Sequence, residues 1–268
     1  MIGRVVLAVC LVLAVAPATA SAAAPPPPGA NVPCKPSAAH PYPVVLVHGT
    51  FENRFDNWGA MSPALAAAGY CVYALNYGAY AGSGRLGIYA VGRIQRSARQ
   101  LARFVARVRH RTGAAKVSLV GHSQGGMMPR WYIKFLGGAR VVDDLVGLSP
   151  SNHGTANPLA GPLGVTCPAC AQQVAGSRFL RRLNRGDESP GGVSYTQVVT
   201  RYDEVVTPYT SGYLAPDAGV TNVTLQDRCP ADTSEHLRTP YDVPAIAITL
   251  DALAHAGPAR PDLRPPCF

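Results

Sequence analysis

The run Val117-Ser118-Leu119-Val120-Gly121-His122-Ser123-Gln124-Gly125-Gly126 constrains the fold more than any other stretch of the chain. Its first half is a short apolar segment of the kind that forms a buried parallel strand. A serine flanked as Gly121-x-Ser123-x-Gly125 follows, and behind it a helical pattern runs to about Leu136. Strand, serine and helix in that order describe a sharp turn at the carboxyl edge of a sheet. Small residues at Gly121 and Gly125 let strand and helix pass closely, and the helix N-terminus favours a developing anion beside the serine. As an isolated string, Gly-x-Ser-x-Gly is a common chance turn. Between a strand and a helix it makes Ser123 a candidate nucleophile.

The rest of the chain repeats the same alternation. Val44 to Val47 and Cys71 to Leu75 read as strands, with a helix from Trp58 to Ala68 between them that stops at Gly69. Ile94, Ala98, Leu101, Val105 and Val108 are spaced as one face of a helix, which Gly113 ends. Leu145 to Leu148, Val193 to Thr200 and Val220 to Leu225 read as further strands, one helix is expected over roughly Cys170 to Leu183, and a last one over Val243 to Ala256. Alternating strands and helices in 268 residues predict one large α/β domain, a mainly parallel central sheet with helices on both faces. The Gly- and Pro-rich segment 151–192 fits that pattern least and is a candidate small cap.

The N-terminus reads as an address. Arg4, then the apolar run Val5 to Ala16, then small residues to Ala22 make residues 1–22 a secretory signal peptide, cleaved near Ala20 or Ala22. Residues 23–43 form a Pro- and Ala-rich lead-in expected to pack little before Cys34, and 44–268 form the domain. The chain has 7 cysteines; without Cys10 of the signal, six remain, an even number that in an exported protein implies disulfides. Cys167-Pro-Ala-Cys170 could suggest redox or zinc chemistry, but no second such pair and no histidine pair at zinc spacing accompanies it, so a local structural disulfide is expected there. The net charge is +9, and many of the arginines lie between Arg93 and Arg111. No nucleic-acid motif and no interleaved aromatic residues accompany them, so this stretch is read as a solvated helix face, without a nucleic-acid partner.

Three further positions complete a constellation around Ser123. An anion forming on a substrate carbonyl needs two N–H donors. Gln124, directly after the serine, offers one; Thr50, after the strand end Val47-His48-Gly49, offers another, and its hydroxyl a third. His48 lies inside that strand end and is expected to shape the loop. In this order of motifs an acid follows the serine and a histidine follows the acid. Asp203 stands after a strand in Asp203-Glu204-Val205-Val206-Thr207-Pro208, with Glu204 as its nearest rival. Of the two histidines beyond it, His236 lies in a loop and His255 near the end of a helix, so His236 is the candidate base.

With these residues in hand, the chain resembles the secreted class 2 lipases of actinobacteria and is similar to the lipase B of the yeast Candida antarctica. The shared features are Gly49-Thr50, Ser123-Gln124-Gly125-Gly126, Ser149-Pro150-Ser151-Asn152-His153-Gly154-Thr155, and Asp203 to Val206 closed by Pro208. The resemblance implies an α/β-hydrolase fold, a Ser123–His236–Asp203 triad, an oxyanion hole from Thr50 and Gln124, and hydrolysis of lipid or other esters without metal or cofactor. It implies disulfides Cys34–Cys71 and Cys229–Cys267, which leaves Cys167–Cys170. A short-chain or polyester (cutinase-like) esterase is the alternative, and a non-catalytic hydrolase-fold protein the weakest reading. The substrate is expected at a lipid–water interface, the location is extracellular, and no stable protein partner is implied.

Overall fold

The computed structural model describes residues 24–267 except Leu159. The segment read as a signal peptide, 1–22, lies outside the described residues. The described chain forms a six-stranded, all-parallel sheet in the order β2-β1-β3-β4-β5-β6. The elements are β1 (Val44–Val47), α1 (Met61–Ala67), β2 (Val72–Leu75), α2 (Ile94–Thr112), β3 (Val117–His122), α3 (Gln124–Phe135) and β4 (Val142–Leu148). Then come α4 (Pro168–Gln173), α5 (Arg178–Leu183), β5 (Ser194–Val199), β6 (Val220–Thr224), α6 (Leu225–Arg228) and α7 (Val243–Ala254).

Side-chain alternation explains the layers. Along β1, Val45 and Val47 join Leu101, Val105, Leu119 and Met127 in a core under α2 and α3. Val44 and Leu46 face the other way, toward Trp58, Met61 and Ile248 under α1 and α7. Each strand residue of β1 and β3 is buried, as a parallel strand covered on both faces requires. Each large apolar side chain so buried contributes about 1.5–3 kcal/mol relative to an exposed one.

The topology places the site. From β1 the chain moves outward to β2, then returns across β1 to β3 and continues the other way. The sheet order therefore reverses between β1 and β3, and the carboxyl ends of strands at such a point border the crevice where ligands bind. Thr50 follows β1 and Ser123 follows β3.

Two expectations are corrected. The segment expected as one helix over Cys170 to Leu183 is two short helices, α4 and α5. Gly176 between them has φ of 71°, and the Ser177 side chain starts α5 afresh by accepting from the Leu180 N–H. The lead-in also packs earlier than Cys34. Ala30 is buried and bridges Val72 at the sheet edge, and Asn31 Nδ2 donates to the Ala74 carbonyl at 2.8 Å. That pairing is a long-range contact, which the Pro-rich composition does not reveal.

Disulfides join Cys34 to Cys71, Cys167 to Cys170 and Cys229 to Cys267. The first ties the lead-in to the start of β2, and the last pins the C-terminus beside α6. Bridges closing loops of this size are typically worth roughly 2–4 kcal/mol. No helix among the described residues is long and apolar enough to cross a membrane.

Candidate active site

Ser123 sits at φ 53° and ψ −121°, a conformation a non-glycine residue holds only when its surroundings enforce it. Its N–H donates to the Leu148 carbonyl at 2.8 Å, which fixes the turn against β4. The flanking glycines are required by contact. A Cβ at Gly121 would lie 1.8 Å from the Gly125 carbonyl oxygen, and one at Gly125 would lie 1.9 Å from that of Val47. The turn exposes the Ser123 side chain to a cavity of about 270 Å³ that His236, Thr50, Leu163, Val205 and Leu237 also line.

His236 opens a short 3-10 turn, His236–Tyr241, and is buried. Its Nδ1 lies 2.8 Å from Asp203 Oδ2. The other carboxylate oxygen of Asp203 accepts the N–H groups of Val205 at 3.0 Å and Val206 at 2.7 Å. Asp203 thus has its two oxygens committed to different partners, and the imidazole presents Nε2 as its remaining nitrogen. Glu204, the rival acid, is exposed, and among the described residues its carboxylate meets only the His236 backbone N–H, at 3.5 Å. His255 stands at the end of α7, 3.4 Å from Asp251.

Thr50 and Gln124 are joined directly. Thr50 Oγ1 accepts from Gln124 Nε2 at 2.8 Å and from Gln173 Nε2 at 3.0 Å. A hydroxyl oxygen has two lone pairs and one proton. With both lone pairs taken by amides, the proton is left to donate in the remaining direction. The Gln124 N–H is the first of α3 and has no intrahelical acceptor. These are donors of the kind an oxyanion needs. Gln173 comes from α4, and its side-chain oxygen Oε1 accepts from Ser151 Oγ at 2.8 Å.

A second histidine–carboxylate pair lies behind the serine. His122 Nδ1 is 2.9 Å from Glu52 Oε2, and His122 Nε2 is 3.0 Å from the His236 backbone carbonyl. A carbonyl can only accept, so Nε2 carries a proton. A second proton, on Nδ1, would charge the ring and serve the Glu52 carboxylate, whereas the Asn57 Nδ2 amide, a donor 3.0 Å away, would call for that nitrogen bare. Burial opposes that charge, but the attraction and hydrogen bond of Glu52 outweigh it, and the His122 pKa is raised above its ordinary value. Glu52 is likewise desolvated, yet His122 holds its pKa below the usual carboxylate value. Glu52 Oε2 also accepts the Gly49 N–H at 2.8 Å, and Asn57 Nδ2 donates to Oε1 at 3.1 Å. The pair therefore links the Thr50 loop, the serine turn and the His236 loop.

His48 is fully buried, stacked on Tyr77 with centroids 4.5 Å apart. Burial pushes its pKa down to about 4, so it is neutral over the ordinary pH range. Sequence reasoning missed Glu52, Asn57 and Gln173. Each owes its place to a contact across a long chain separation, and none lies in a periodic pattern.

The sequence profile of the family described as Lipase (class 2) matches residues 41–243. A triacylglycerol lipase of Pseudarthrobacter phenanthrenivorans is 37% identical over 103 residues, 35% of this chain and 28% of that protein. Lipase B of Pseudozyma antarctica is 33% identical over 104 residues, 37% of this chain and 30% of that protein. These matches span under a third of either relative's length. Among solved structures, Aspergillus fumigatus lipase B superposes with a TM-score of 0.71 at 24% identity, covering 85% of this chain and 57% of that one. MGS-MChE2, an alpha/beta hydrolase from a lagoon-sediment metagenome, superposes with a TM-score of 0.51 at 18% identity, over 77% of this chain and 86% of that one. The all-parallel sheet and these neighbours establish the α/β-hydrolase fold, and the profile, which runs from before β1 to the first residue of α7, establishes the family: this chain belongs to the class 2 lipases.

Proposed function

We propose that this chain is a carboxylic ester hydrolase acting on lipid esters, with Ser123, His236 and Asp203 as a catalytic triad. The observation that carries the reading is the His236 Nδ1–Asp203 Oδ2 contact of 2.8 Å beside a serine that shares one mostly apolar cavity with the imidazole. His236 Nε2 takes the Ser123 proton as Oγ attacks the ester carbonyl. The tetrahedral oxyanion receives the Gln124 N–H, the Thr50 N–H and the Thr50 hydroxyl. The imidazolium then gives its proton to the leaving alcohol, and an acyl-enzyme remains. Water repeats the sequence and frees the acid. Asp203 holds the Nδ1–H tautomer and stabilises the imidazolium.

The family and the names of the relatives favour acylglycerols as substrates. The cavity volume of about 270 Å³ favours a second reading, short acyl chains or the ester links of a polymer. A fluorophosphonate probe on the purified protein should label Ser123 stoichiometrically; an unlabelled protein would defeat both readings and leave a non-catalytic hydrolase fold. A chain-length series of soluble esters beside emulsified triglyceride separates the two. Export fits the three disulfides, which persist in oxidising compartments.

A further inference from the structure

The reaction leaves one large feature of the surface unused. Arg93 precedes α2, and Arg96, Arg99, Arg103, Arg107 and Arg111 lie on it; all six are exposed. At 3.6 residues per turn they fall within an arc of about 120°. No acidic residue occurs between Asp56 and Asp143, so α2 carries no compensating carboxylate. Among the described residues, no ion pair engages any of these six arginines. Arginines in the first turns also stand at the positive end of the helix dipole, where acids are favoured. The stripe is solvated, as its spacing predicts, but the structure adds what borders it.

Arg93, Arg96 and Arg99 form one side of a groove of about 800 Å³, whose other side includes Gly164 and Pro168. A neighbouring groove of about 380 Å³ shares Arg93 and adds Arg178 and Arg182 from α5. Among the described residues, no carboxylate lines either groove. Ser97 also lines the larger one, and its buried hydroxyl has no partner among the described residues. The turn Pro162–Val165 separates this basic surface from the active-site cavity, since Leu163 lines the cavity and Gly164 the groove. Apolar side chains protrude there: Val165 is 87% exposed and Leu163 43%.

We infer that this face docks the protein onto an anionic lipid surface. Phosphate-bearing headgroups occupy the arginine grooves, and the Leu163–Val165 turn enters the boundary of the acyl layer. Arginine pairs with phosphate in a fork of two N–H donors while its stem lies against apolar groups. A polyanion such as duplex DNA would use the guanidiniums but would leave Leu163 and Val165 exposed, so the lipid surface is the better match. The remaining arginines of α2 extend the positive field and speed encounter. The inference deepens the ester-hydrolase reading, because docking beside Leu163 presents the cavity to lipid esters, but binding itself needs no chemistry.

Sedimentation with vesicles tests it, using the Ser123→Ala protein so that lipid is not consumed. Phosphatidylcholine vesicles are compared with vesicles in which part of that lipid is phosphatidylglycerol. Binding should be strong only to the anionic vesicles and should fall with added salt. The triple variant Arg93→Gln/Arg96→Gln/Arg99→Gln should lose roughly 10²-fold in affinity, from about 1 kcal/mol per surface arginine. Val165→Asp should weaken binding at unchanged net arginine content. Lys35→Gln/Arg140→Gln/Arg264→Gln removes the same charge from residues that line neither groove, and should bind nearly as the parent does. In the Ser123 background, the triple arginine variant should turn over a soluble ester normally. Equal binding to both vesicles, equal losses in the two triple variants, or retention on duplex DNA without vesicle binding would overturn the inference. Failure of the ester-hydrolase reading would show separately, as an unlabelled Ser123 with vesicle binding intact.

Discussion

Two histidine–carboxylate pairs with buried rings flank Ser123, and they differ in what faces the second ring nitrogen. In His236–Asp203, one ring nitrogen meets the acid at 2.8 Å and the other remains for the cavity that holds the serine. In His122–Glu52, one nitrogen meets the acid at 2.9 Å and the other is capped by the His236 carbonyl at 3.0 Å. The first ring keeps one nitrogen open toward the serine's cavity. The second has both nitrogens committed and cannot exchange one without breaking a hydrogen bond. Under the proposed mechanism, two similar pairs serve as base and prop according to what faces the second nitrogen. The carboxylates differ accordingly: Asp203 is tethered by two backbone N–H groups on its own loop, whereas Glu52 holds the N–H of Gly49, next to Thr50.

The largest test of this contrast is Asp203→Asn. The amide keeps the shape but can donate to Nδ1 and so favour the wrong tautomer. Turnover on a soluble ester should fall by about 10⁴-fold, as for a triad acid in another enzyme. The melting temperature should move much less than turnover does. A loss below tenfold would mean that His236 does not depend on Asp203 and that the two pairs do not differ as described.

Thr50→Val comes next. Valine keeps the branched shape and removes the hydroxyl that accepts from Gln124 and Gln173. If that hydroxyl donates to the oxyanion, turnover falls by about 10²–10³-fold, the usual loss for one such donor. The Michaelis constant should change little, because the bond strengthens as charge develops. Steady-state kinetics with a melting curve as folding control decide it. Unchanged turnover in a well-folded variant would leave the oxyanion to backbone donors alone.

The His236–Asp203 pair was legible in the sequence as a candidate, and the His122–Glu52 pair was not. Ser123 is announced by local chemistry, a strand, two glycines and a helix. Asp203 and His236 follow from their order along the chain and their loop positions. β1, β3, α2 and α3 likewise carry strong patterns, four apolar residues in a row or apolar residues at helical spacing. Glu52 and His122 are 70 positions apart, and Thr50 and Gln173 are 123 apart, so only the fold brings them together. His122 even stands inside the serine motif, at a position where the motif accepts any residue. The break between α4 and α5 was hidden for a related reason: Gly176 can continue or end a helix, and tertiary packing decides which.

Glu52→Gln sharpens the comparison at intermediate size. A glutamine cannot stabilise an imidazolium, so the charged form of His122 loses its partner. Removing one partner of a buried pair typically costs about 3–5 kcal/mol of stability. Turnover should fall only about tenfold, since the triad itself is intact and only its placement shifts. The pH dependence has a defined sign. The His122 pKa is raised above 6.5, so its contribution is complete below pH 6.5 and is lost as pH rises through the folded value. The Glu52 pKa is lowered below 4.5, so its contribution is present above pH 4.5 and is lost as pH falls through the folded value. The gap in melting temperature between parent and variant should therefore be widest from pH 4.5 to 6.5 and shrink on either side. A gap independent of pH would show that the pair is held by shape and not by charge.

The smallest effect is expected one residue from the largest. Glu204 follows Asp203, but its side chain is exposed and, among the described residues, meets only the His236 N–H at 3.5 Å, a long and weak hydrogen bond. Glu204→Gln keeps an acceptor at that distance and removes a charge that water already screens. Turnover should change by less than about twofold, within the small range expected of a surface substitution. The pH profile of kcat/KM should keep its shape, because the acid that orients His236 is untouched. Measuring Glu204→Gln beside Asp203→Asn, on the same ester and the same day's preparation, turns two adjacent carboxylates into a direct assay of burial. If Glu204→Gln were the more damaging, the acid of the triad would be Glu204, and the Asp203 contact at Nδ1 would be the prop.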